Sequence, residues 1–276
     1  MSLAITIVIP TKNEERNLAR CLAPLSEFAE IVIIDSGSTD ATREIAAANG
    51  VRVVDFSWNG AFPKKRNWML RNYAFSTPWV LFLDADEVIG PAFVEELRTT
   101  IPTTAHVGFW LNYSNFFMGE KLKHGVPQRK LALFRVGSGE YERIEEDRWS
   151  ALDMEVHEHP VLAGSVGEIA CPIEHNDFKS LHHFIDRHNQ YSSWEARRTF
   201  ALNRKGTEGL TRRQAIKYRF VTQAWFAFAY FGLQYFIKLG ILDGRAGLLY
   251  AFYKFSYFLD VRQKYLEHMR QRPGAS

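Results

Sequence analysis

The sequence predicts an α/β fold with a doubly wound, mostly parallel sheet, followed by a separate helical region. Short apolar runs alternate with helical segments over the first hundred residues, which is the pattern of βαβ units. Four β-branched or apolar runs predict strands: Leu3–Ile9, Glu30–Ile34, Val51–Phe56 and Trp79–Leu83. Four further segments predict helices: Asn13–Phe28, Thr39–Ala48, Pro63–Phe75 and Pro91–Thr100.

The pattern changes after the fourth helix. Alternating segments at Val107–Phe117 and Lys130–Val136 predict antiparallel or edge strands, so we expect the sheet to become mixed there. Ser180–Asn203 predicts a long helix with a polar face, and the glycine-containing Lys205–Leu210 is typical of a linker. The sequence therefore predicts one domain over residues 1–204 and a helical tail over residues 205–276.

Composition excludes a disordered protein and places the positive charge in the tail. The 276 residues are 46% hydrophobic, which is enough for a substantial core. Residues 205–276 contain 12 Lys and Arg against 4 Asp and Glu, which predicts an anionic surface as a partner. Cys21 and Cys171 lack metal or disulfide spacing, and Met1–Pro10 lacks a signal sequence, so we expect a reducing, cytoplasm-facing location.

Two carboxylates follow the fourth predicted strand directly. In open α/β sheets ligands bind beyond the carboxyl ends of the strands, which is where Asp84 and Asp86 lie. Alternation in an extended segment would put both side chains on one side, where they can share a divalent cation and the oxygens of a diphosphate. The alternative is a solvated acidic turn before the helix that starts near Pro91.

Polar clusters also follow the first two strands, at residues 10–15 and 35–40. We expect Asp35 to protrude at its strand tip and to accept hydrogen bonds from a nucleobase or a ribose. Gly37 allows the backbone of that turn to approach a ligand closely. The first strand is followed by Pro10 through Asn13 without a glycine, which excludes a dinucleotide-binding fingerprint.

Three cations open the third predicted helix, where the helix dipole favours acids instead. Lys64, Lys65 and Arg66 are well suited to balancing the charge of a diphosphate. A solvated basic face is the alternative.

These motifs together resemble the family 2 glycosyltransferases of the GT-A fold. The resemblance covers about Leu3 to Glu87 and includes the segments at residues 7–14, 33–40, 66–67 and 81–87, in the family's order and spacing. It implies a metal-dependent enzyme that uses a nucleotide sugar, with a UDP-sugar favoured. By resemblance Thr11, Glu14 and Asp35 hold the uridine, Asp84 lies at the ribose and metal, and Asp86 binds Mg²⁺ or Mn²⁺. The full set of predicted donor-binding residues is Pro10, Thr11, Asn13, Glu14, Asp35, Gly37, Lys65, Arg66, Asp84, Ala85 and Asp86.

The second half resembles, less specifically, the branch of this family that builds bacterial lipopolysaccharide cores. The similarity lies in residues 156–158, 173–175 and 240–247. It implies an inverting transfer to a lipid-linked saccharide, with donor-binding and acceptor halves at about residues 1–100 and 101–204. Glu158 is the first candidate for the general base, followed by Glu155 and Asp153. A polyprenyl-phosphate glycosyltransferase and a non-catalytic sugar-nucleotide-binding protein remain alternatives.

Histidines beside the proposed base have two interpretations. His157 and His159 could form a metal pair, but no third ligand accompanies them. His175 could approach the metal or the diphosphate, and a structural histidine is the alternative.

The tail predicts contact with a membrane. Phe220–Ile237 is 18 residues long without a formal charge, at the threshold for spanning a bilayer, and Leu248–Leu259 repeats its aromatic composition. Flanking cations favour an in-plane or re-entrant hairpin on anionic headgroups at the cytoplasmic face of the inner membrane. Packing on the catalytic domain or in a homo-oligomer is the alternative. Nucleic acid is excluded as a partner because long apolar runs separate the cations.

Overall fold

The chain divides into two units, each with its own apolar core. The computed structural model describes residues 2–144, 152–154, 159–177, 179–206, 210 and 212–271. The first unit consists of Met1–Phe116 and Pro127–Lys179, and the second consists of Phe117–Val126 and Ser180–Ser276. The predicted boundary at residue 205 stays a prediction, made from composition.

Strands and helices alternate through the first hundred residues, as predicted. Up to residue 175 the elements are β1 (Leu3–Thr11), α1 (Leu18–Leu22), β2 (Phe28–Asp35), α2 (Thr42–Ala48), β3 (Arg52–Asp55), α3 (Lys65–Asn72), β4 (Trp79–Phe82), β5 (Glu87–Val88), α4 (Pro91–Thr100), β6 (Gly108–Phe117), β7 (Glu120–Lys121), β8 (Arg129–Arg135), β9 (Gly139–Tyr141), β10 (Pro160–Leu162) and β11 (Val166–His175).

The main sheet has the strand order β3-β2-β1-β4-β8-β6-β11-β5. Strands β3, β2, β1 and β4 are parallel, and β8 is antiparallel to both β4 and β6, so the sheet is mixed as predicted. Thr11 pairs with Asp35, and Asp35 pairs with Asp55. Three neighbouring strands therefore end in polar residues at the same edge.

Apolar side chains cover both faces of the central strands. Alternate residues of β1 enter two separate clusters, with Ile5, Ile7 and Ile9 on one face and Val8 on the other. Both clusters are inaccessible to solvent at these positions, which explains why β1 and β4 read as nearly continuous apolar runs. The predicted fold class is confirmed.

Two predicted elements need correction. The helix predicted over residues 13–28 is reduced to α1, because Asn13 has a left-handed φ of 57° and Pro24 precedes a separate 3-10 turn. Strand β11 was absent from the prediction. Its buried residues, Ile169 and Ile173, follow a period of two, and its register with β6 shifts between them.

The second unit is built from four helices: α5 (Leu181–Lys205), α6 (Arg212–Phe220), α7 (Ala224–Gly232) and α8 (Gly244–Arg270). A π turn over Leu233–Ile237 and a 3-10 turn over Gly240–Asp243 join α7 to α8. Phe226 and Tyr230 pack on Phe258 of α8, with ring centroids 5.1 and 4.6 Å apart. The predicted long helix after residue 180 thus exists and belongs to this unit's core.

The glycine-rich turn before α8 has a packing role. A Cβ atom on Gly247 would lie 2.0 Å from the carbonyl oxygen of Gly240, so a side chain there would push α8 off the turn.

The loop of residues 117–126 is hydrogen-bonded to the same turn. His124 N donates to Asp243 at 2.9 Å, and Gly125 N donates to the Lys238 carbonyl at 2.7 Å.

Among the described residues, each helix taken singly falls short of the length and apolar composition of a membrane span. Ala224–Ile237 and Gly240–Arg270 meet that standard only as a pair, and their axes differ in direction by 72°.

Asn67 fixes α3 to β9, and its loss should destabilise the first unit. The buried side chain donates to the Tyr141 carbonyl at 3.0 Å and accepts from Tyr141 N at 2.8 Å. Asn67→Ala leaves both backbone groups without these bonds, so we expect a loss of about 2 to 4 kcal/mol in unfolding free energy. Denaturant titration measures it, with exposed Asn72→Ala as the control. Equal losses in both variants would contradict this role.

Candidate functional site

Asp35 lies fully buried at the tip of β2 and accepts several hydrogen bonds. Thr11 Oγ1 donates to it at 2.8 Å, Ser38 donates from its backbone N at 2.9 Å and from Oγ at 2.5 Å, and Arg43 lies 3.3 Å away. Burial by itself would raise the pKa of Asp35, but the Ser38 and Thr11 hydrogen bonds outweigh burial and lower it. The carboxylate is therefore held ionised as an acceptor.

A cavity of about 540 Å³ opens beside Asp35. Its lining consists of Lys12, Asp35, Ser36, Gly37, Asp55, Phe56, Ser57, Trp58 and Asp153. Aromatic rings next to ionised carboxylates can hold a flat heterocycle that presents N–H or O–H donors. The strand tips of β2 and β3 thus form one binding cavity.

Two loops at this cavity are joined through Asn13. Its backbone N donates to Ser38 Oγ at 2.9 Å, and its Oδ1 accepts from Thr39 N at 2.8 Å. Gly37 adopts a left-handed φ of 71°, a conformation that glycine accommodates without strain. Pro10 lies within β1, opposite Ile34, and is buried.

The cations at the start of α3 point into the site and are buried. Lys65 Nζ donates to the Thr11 carbonyl at 3.0 Å and lies 3.3 Å from Asp153, while Arg66 Nη2 contacts Asp84 at 2.7 Å. Burial lowers the pKa of Lys65, and the charge of Asp153 opposes that shift. A solvated basic face is thereby excluded for these residues. Two consecutive side chains connect the Asp35 cavity with the carboxylates that follow β4.

Three carboxylates gather after β4. One oxygen each from Asp84, Asp86 and Glu87 lies within 4.8 Å of the others. The cause is a turn and not the predicted strand alternation, because Glu87 N donates to the Asp84 carbonyl at 2.9 Å and Asp84 N donates to Glu87 Oε2 at 3.1 Å. Ala85 faces the apolar core beneath this turn.

Lys130 and His175 complete the carboxylate cluster. Lys130 Nζ donates to Asp84 Oδ2 at 2.7 Å and also to Glu87, while His175 Nε2 lies 3.5 Å from Asp86. Burial favours protonation of Asp84, but Lys130 and Arg66 outweigh it and lower its pKa. For Glu87 burial prevails and raises the pKa to about 7. Clustered carboxylate oxygens are the ligands that Mg²⁺ and Mn²⁺ prefer, so the residues fit such an ion.

The other predicted site residues lie in different surroundings. The Glu14 carboxylate accepts from Lys179 at 2.6 Å and from Asn17 at 3.0 Å, outside the cavity lining. Asp153 accepts a hydrogen bond from Ser36 and faces Lys65 within that lining. Glu155 and Glu158 lie outside the described residues, as does His157.

Sequence reasoning missed several residues of the site. Asp55 ends β3 just as Asp35 ends β2, so the strand-end signal that identified Asp35 was also present there. Trp58 follows in an irregular segment without a motif. Lys130 follows Arg129 at the start of strand β8, and no motif distinguished it from an ordinary cation at a strand end.

Comparisons with known proteins identify the family of the chain. The family profile described as Glycosyl transferase family 2 matches residues 6–157, more than half of the chain. The lipopolysaccharide core biosynthesis glycosyltransferase LpsC of Rhizobium meliloti is 28% identical over 91% of this chain and 90% of its own length. An uncharacterized glycosyltransferase of Rickettsia conorii is 24% identical over 95% of this chain and 91% of its own length.

Among solved structures, glucosyl-3-phosphoglycerate synthase from Mycobacterium tuberculosis, in complex with Mn²⁺, UDP and glucosyl-3-phosphoglycerate, is 29% identical. The match covers 42% of this chain and 44% of that protein, with a TM-score of 0.31.

We expect Lys130 to compete with a divalent cation for the same carboxylates. Because its ammonium contacts both Asp84 and Glu87, Lys130→Met should raise the affinity of the protein for Mn²⁺ about tenfold, by removing repulsion between like charges. Electron paramagnetic resonance of free Mn²⁺ measures the affinity. The control is Arg129→Met on the same strand, whose partner is the exposed Glu168. Weaker Mn²⁺ binding by Lys130→Met would instead show that the lysine holds the carboxylates in place.

Proposed function

The chain belongs to glycosyl transferase family 2, and on this basis we propose that it transfers a sugar, with inversion, from a UDP-sugar to a lipid-linked saccharide such as a lipopolysaccharide core. One arrangement carries the proposal. The buried acceptor Asp35 and the carboxylate cluster after β4 are connected by Lys65 and Arg66, at adjacent strand tips of one sheet.

The cavity beside Asp35 suits the uridine of the donor. The ionised carboxylate can accept from the base or the ribose, and Trp58 and Phe56 supply flat apolar surfaces. From this cavity the donor's phosphates would extend towards Lys65 and Arg66, whose charges match a diphosphate. Contacts of Pro10, Asn13, Gly37 and Glu14 with the donor remain proposals from the family resemblance.

The carboxylate cluster is proposed to hold Mg²⁺ or Mn²⁺. Asp86 and Asp84 are the proposed ligands, and Glu87 offers a third oxygen within the same 4.8 Å. When bound, the ion would neutralise negative charge on the departing nucleoside diphosphate. Arg66 and Lys130 each contact one oxygen of Asp84, so two positive charges lie beside the proposed ion site.

Glu158 is the proposed general base. Its role is to take the proton from the acceptor hydroxyl as that oxygen attacks the sugar, which requires one ionised carboxylate near the acceptor. Asp153 is the third candidate, and its contacts with Lys65 and Ser36 favour a different role, in shaping the donor cavity. Glu155 stays the second candidate.

The acceptor and the location rest on the chain's relatives and on its tail. LpsC is named for lipopolysaccharide core biosynthesis and matches almost the full length of this chain. The tail has eight more cations than acids, which suits an anionic membrane surface. We propose that residues 1–204 catalyse the transfer, and that residues 205–276 hold the enzyme at the cytoplasmic face of the inner membrane.

Asp86→Ala should abolish Mn²⁺-dependent UDP binding and sugar transfer while leaving the fold intact. The reason is the loss of a proposed metal ligand beside the diphosphate. Calorimetric titration of UDP with and without Mn²⁺ measures binding, and thermal unfolding checks the fold. Glu168→Ala, which removes an exposed carboxylate of β11, is the control. Unchanged Mn²⁺-dependent UDP binding in Asp86→Ala would remove the metal role.

Glu158→Gln should keep donor binding and lose turnover by about a hundredfold or more, because the amide cannot accept the proton. Transfer of labelled sugar from a UDP-sugar to a lipopolysaccharide-core acceptor measures turnover, and UDP titration measures donor binding. Glu155→Gln is the matched control and should stay active. If Glu158→Gln keeps wild-type turnover while Glu155→Gln loses it, the base is Glu155.

A further inference from the structure

The second unit exposes a large number of apolar side chains between residues 225 and 252. This apolar face consists of Trp225, Phe228, Phe236, Ile237, Leu239, Ile241, Leu242, Leu249 and Phe252. Three of them are more than three-fifths exposed: Phe228 at 64%, Ile237 at 72% and Leu242 at 63%. Exposed patches of this kind mark interaction sites for proteins or membranes.

Aromatic contacts make the face continuous across two helices. Phe231 of α7 lies 5.1 Å from Phe252 of α8 and 6.2 Å from Phe236 of the π turn, between ring centroids. Phe228 lies 4.9 Å from Phe255. Through Phe231 and Phe255 the exposed rings of Phe228, Phe236 and Phe252 thus form one surface around the bent connection of α7 and α8.

Helix α7 is apolar all the way round. Phe226 and Tyr230 face Phe258 in the core, while Trp225 and Phe228 face outward, and the helix contains no charged residue. A helix with this composition is normally buried in a protein core or in a membrane. We therefore expect the outward side of α7 to pack against an apolar partner surface.

The charges around the face have one sign. Between residues 212 and 259 the sequence contains seven Lys and Arg but a single acid, Asp243. Asp243 is turned inward, where it accepts from Lys123 N at 3.1 Å and from His124 N at 2.9 Å. Lys238 and Arg245, in contrast, are exposed within the same turn. The surface presented outward is apolar with a cationic rim.

We infer that this face inserts into the headgroup region of an anionic lipid bilayer, with α7 and the first turns of α8 lying in the membrane plane. Apolar side chains would enter the interface while Lys238 and Arg245 contact lipid phosphates. The loop held to Asp243 exposes Lys121 and Lys123 beside one acid, Glu120, and so adds a net positive charge. The inference rests on the proposed function, since it places the enzyme where a lipid-linked acceptor resides.

A second copy of the chain suits this face less well. Two-fold pairing would bring the same patch of each copy together, so the exposed Lys238 and Arg245 of both copies would share one interface. Like charges facing each other across an interface oppose binding, whereas anionic headgroups neutralise them.

Vesicle flotation of the full chain tests the inference. We expect binding to phosphatidylcholine vesicles that contain phosphatidylglycerol, and at least tenfold weaker binding to phosphatidylcholine alone. The double variant Phe228→Ser with Ile237→Ser should bind the anionic vesicles with an affinity at least about tenfold lower, because two inserting side chains are lost. Trp225 should show a blue-shifted emission on binding, which Trp225→Phe removes.

Two further variants test whether vesicle binding is specific to this face and to its charge. Val161→Ser, at a side chain of the first unit that is 66% exposed, should leave vesicle binding unchanged. Lys238→Glu with Arg245→Glu should abolish the preference for anionic lipid. Circular dichroism of each variant confirms the fold. Equal binding of the double serine variant and the wild type would overturn the inference. So would a concentration-dependent dimer that the same substitutions dissolve, since the face would then cover a second copy.

Vesicle binding and UDP binding test the membrane face and the proposed function separately. Mn²⁺-dependent UDP binding without vesicles tests the donor site alone, and Phe228→Ser with Ile237→Ser should not change it. Vesicle binding without UDP binding would overturn only the proposed transfer. UDP binding with no affinity for anionic vesicles would overturn only the membrane face.

Discussion

The site depends on the in-register ends of parallel strands. Because β3, β2, β1 and β4 run in the same direction, their carboxyl ends meet at one edge, where Thr11, Asp35 and Asp55 lie side by side. Apolar side chains cover both faces of β1, β2 and β4, and polar side chains follow at the strand tips. A shift of one residue in the pairing would turn these groups towards the core.

Buried cations make this concentration of acids compatible with a folded protein. Lys65, Arg66 and Lys130 each contact a carboxylate, and all three are largely withdrawn from solvent. Removing one partner of such a pair typically costs about 3 to 5 kcal/mol. The same charges would suit the proposed function, because Lys65 and Arg66 could turn from these acids to the oxygens of a bound diphosphate.

The sequence predicted the fold class and the family, because these depend on local signals. Strand tips, the carboxylates after β4 and the cations of α3 are each visible as short runs of residues. What it missed depends on distant pairing: β11 joins β6 across about fifty residues, and Lys130 reaches Asp84 from an antiparallel strand. The turn that adds Glu87 to the carboxylate cluster was also missed, since it replaces strand alternation by a backbone hydrogen bond. Spacing alone does not contain such information.

The two units differ in how many of their apolar side chains are buried. In the first, apolar side chains are buried on both faces of a sheet, and charged residues follow at the strand tips. In the second, the core of α5, α7 and α8 is complete, with Phe258 and Val261 buried, and yet residues 225–252 keep a further set of large apolar side chains outside it. This outer set stays exposed in the described part of the chain. Exposed apolar side chains favour aggregation unless something covers them. A lipid bilayer, which is apolar inside and anionic at its headgroups, would cover these side chains and also contact the neighbouring Lys238 and Arg245.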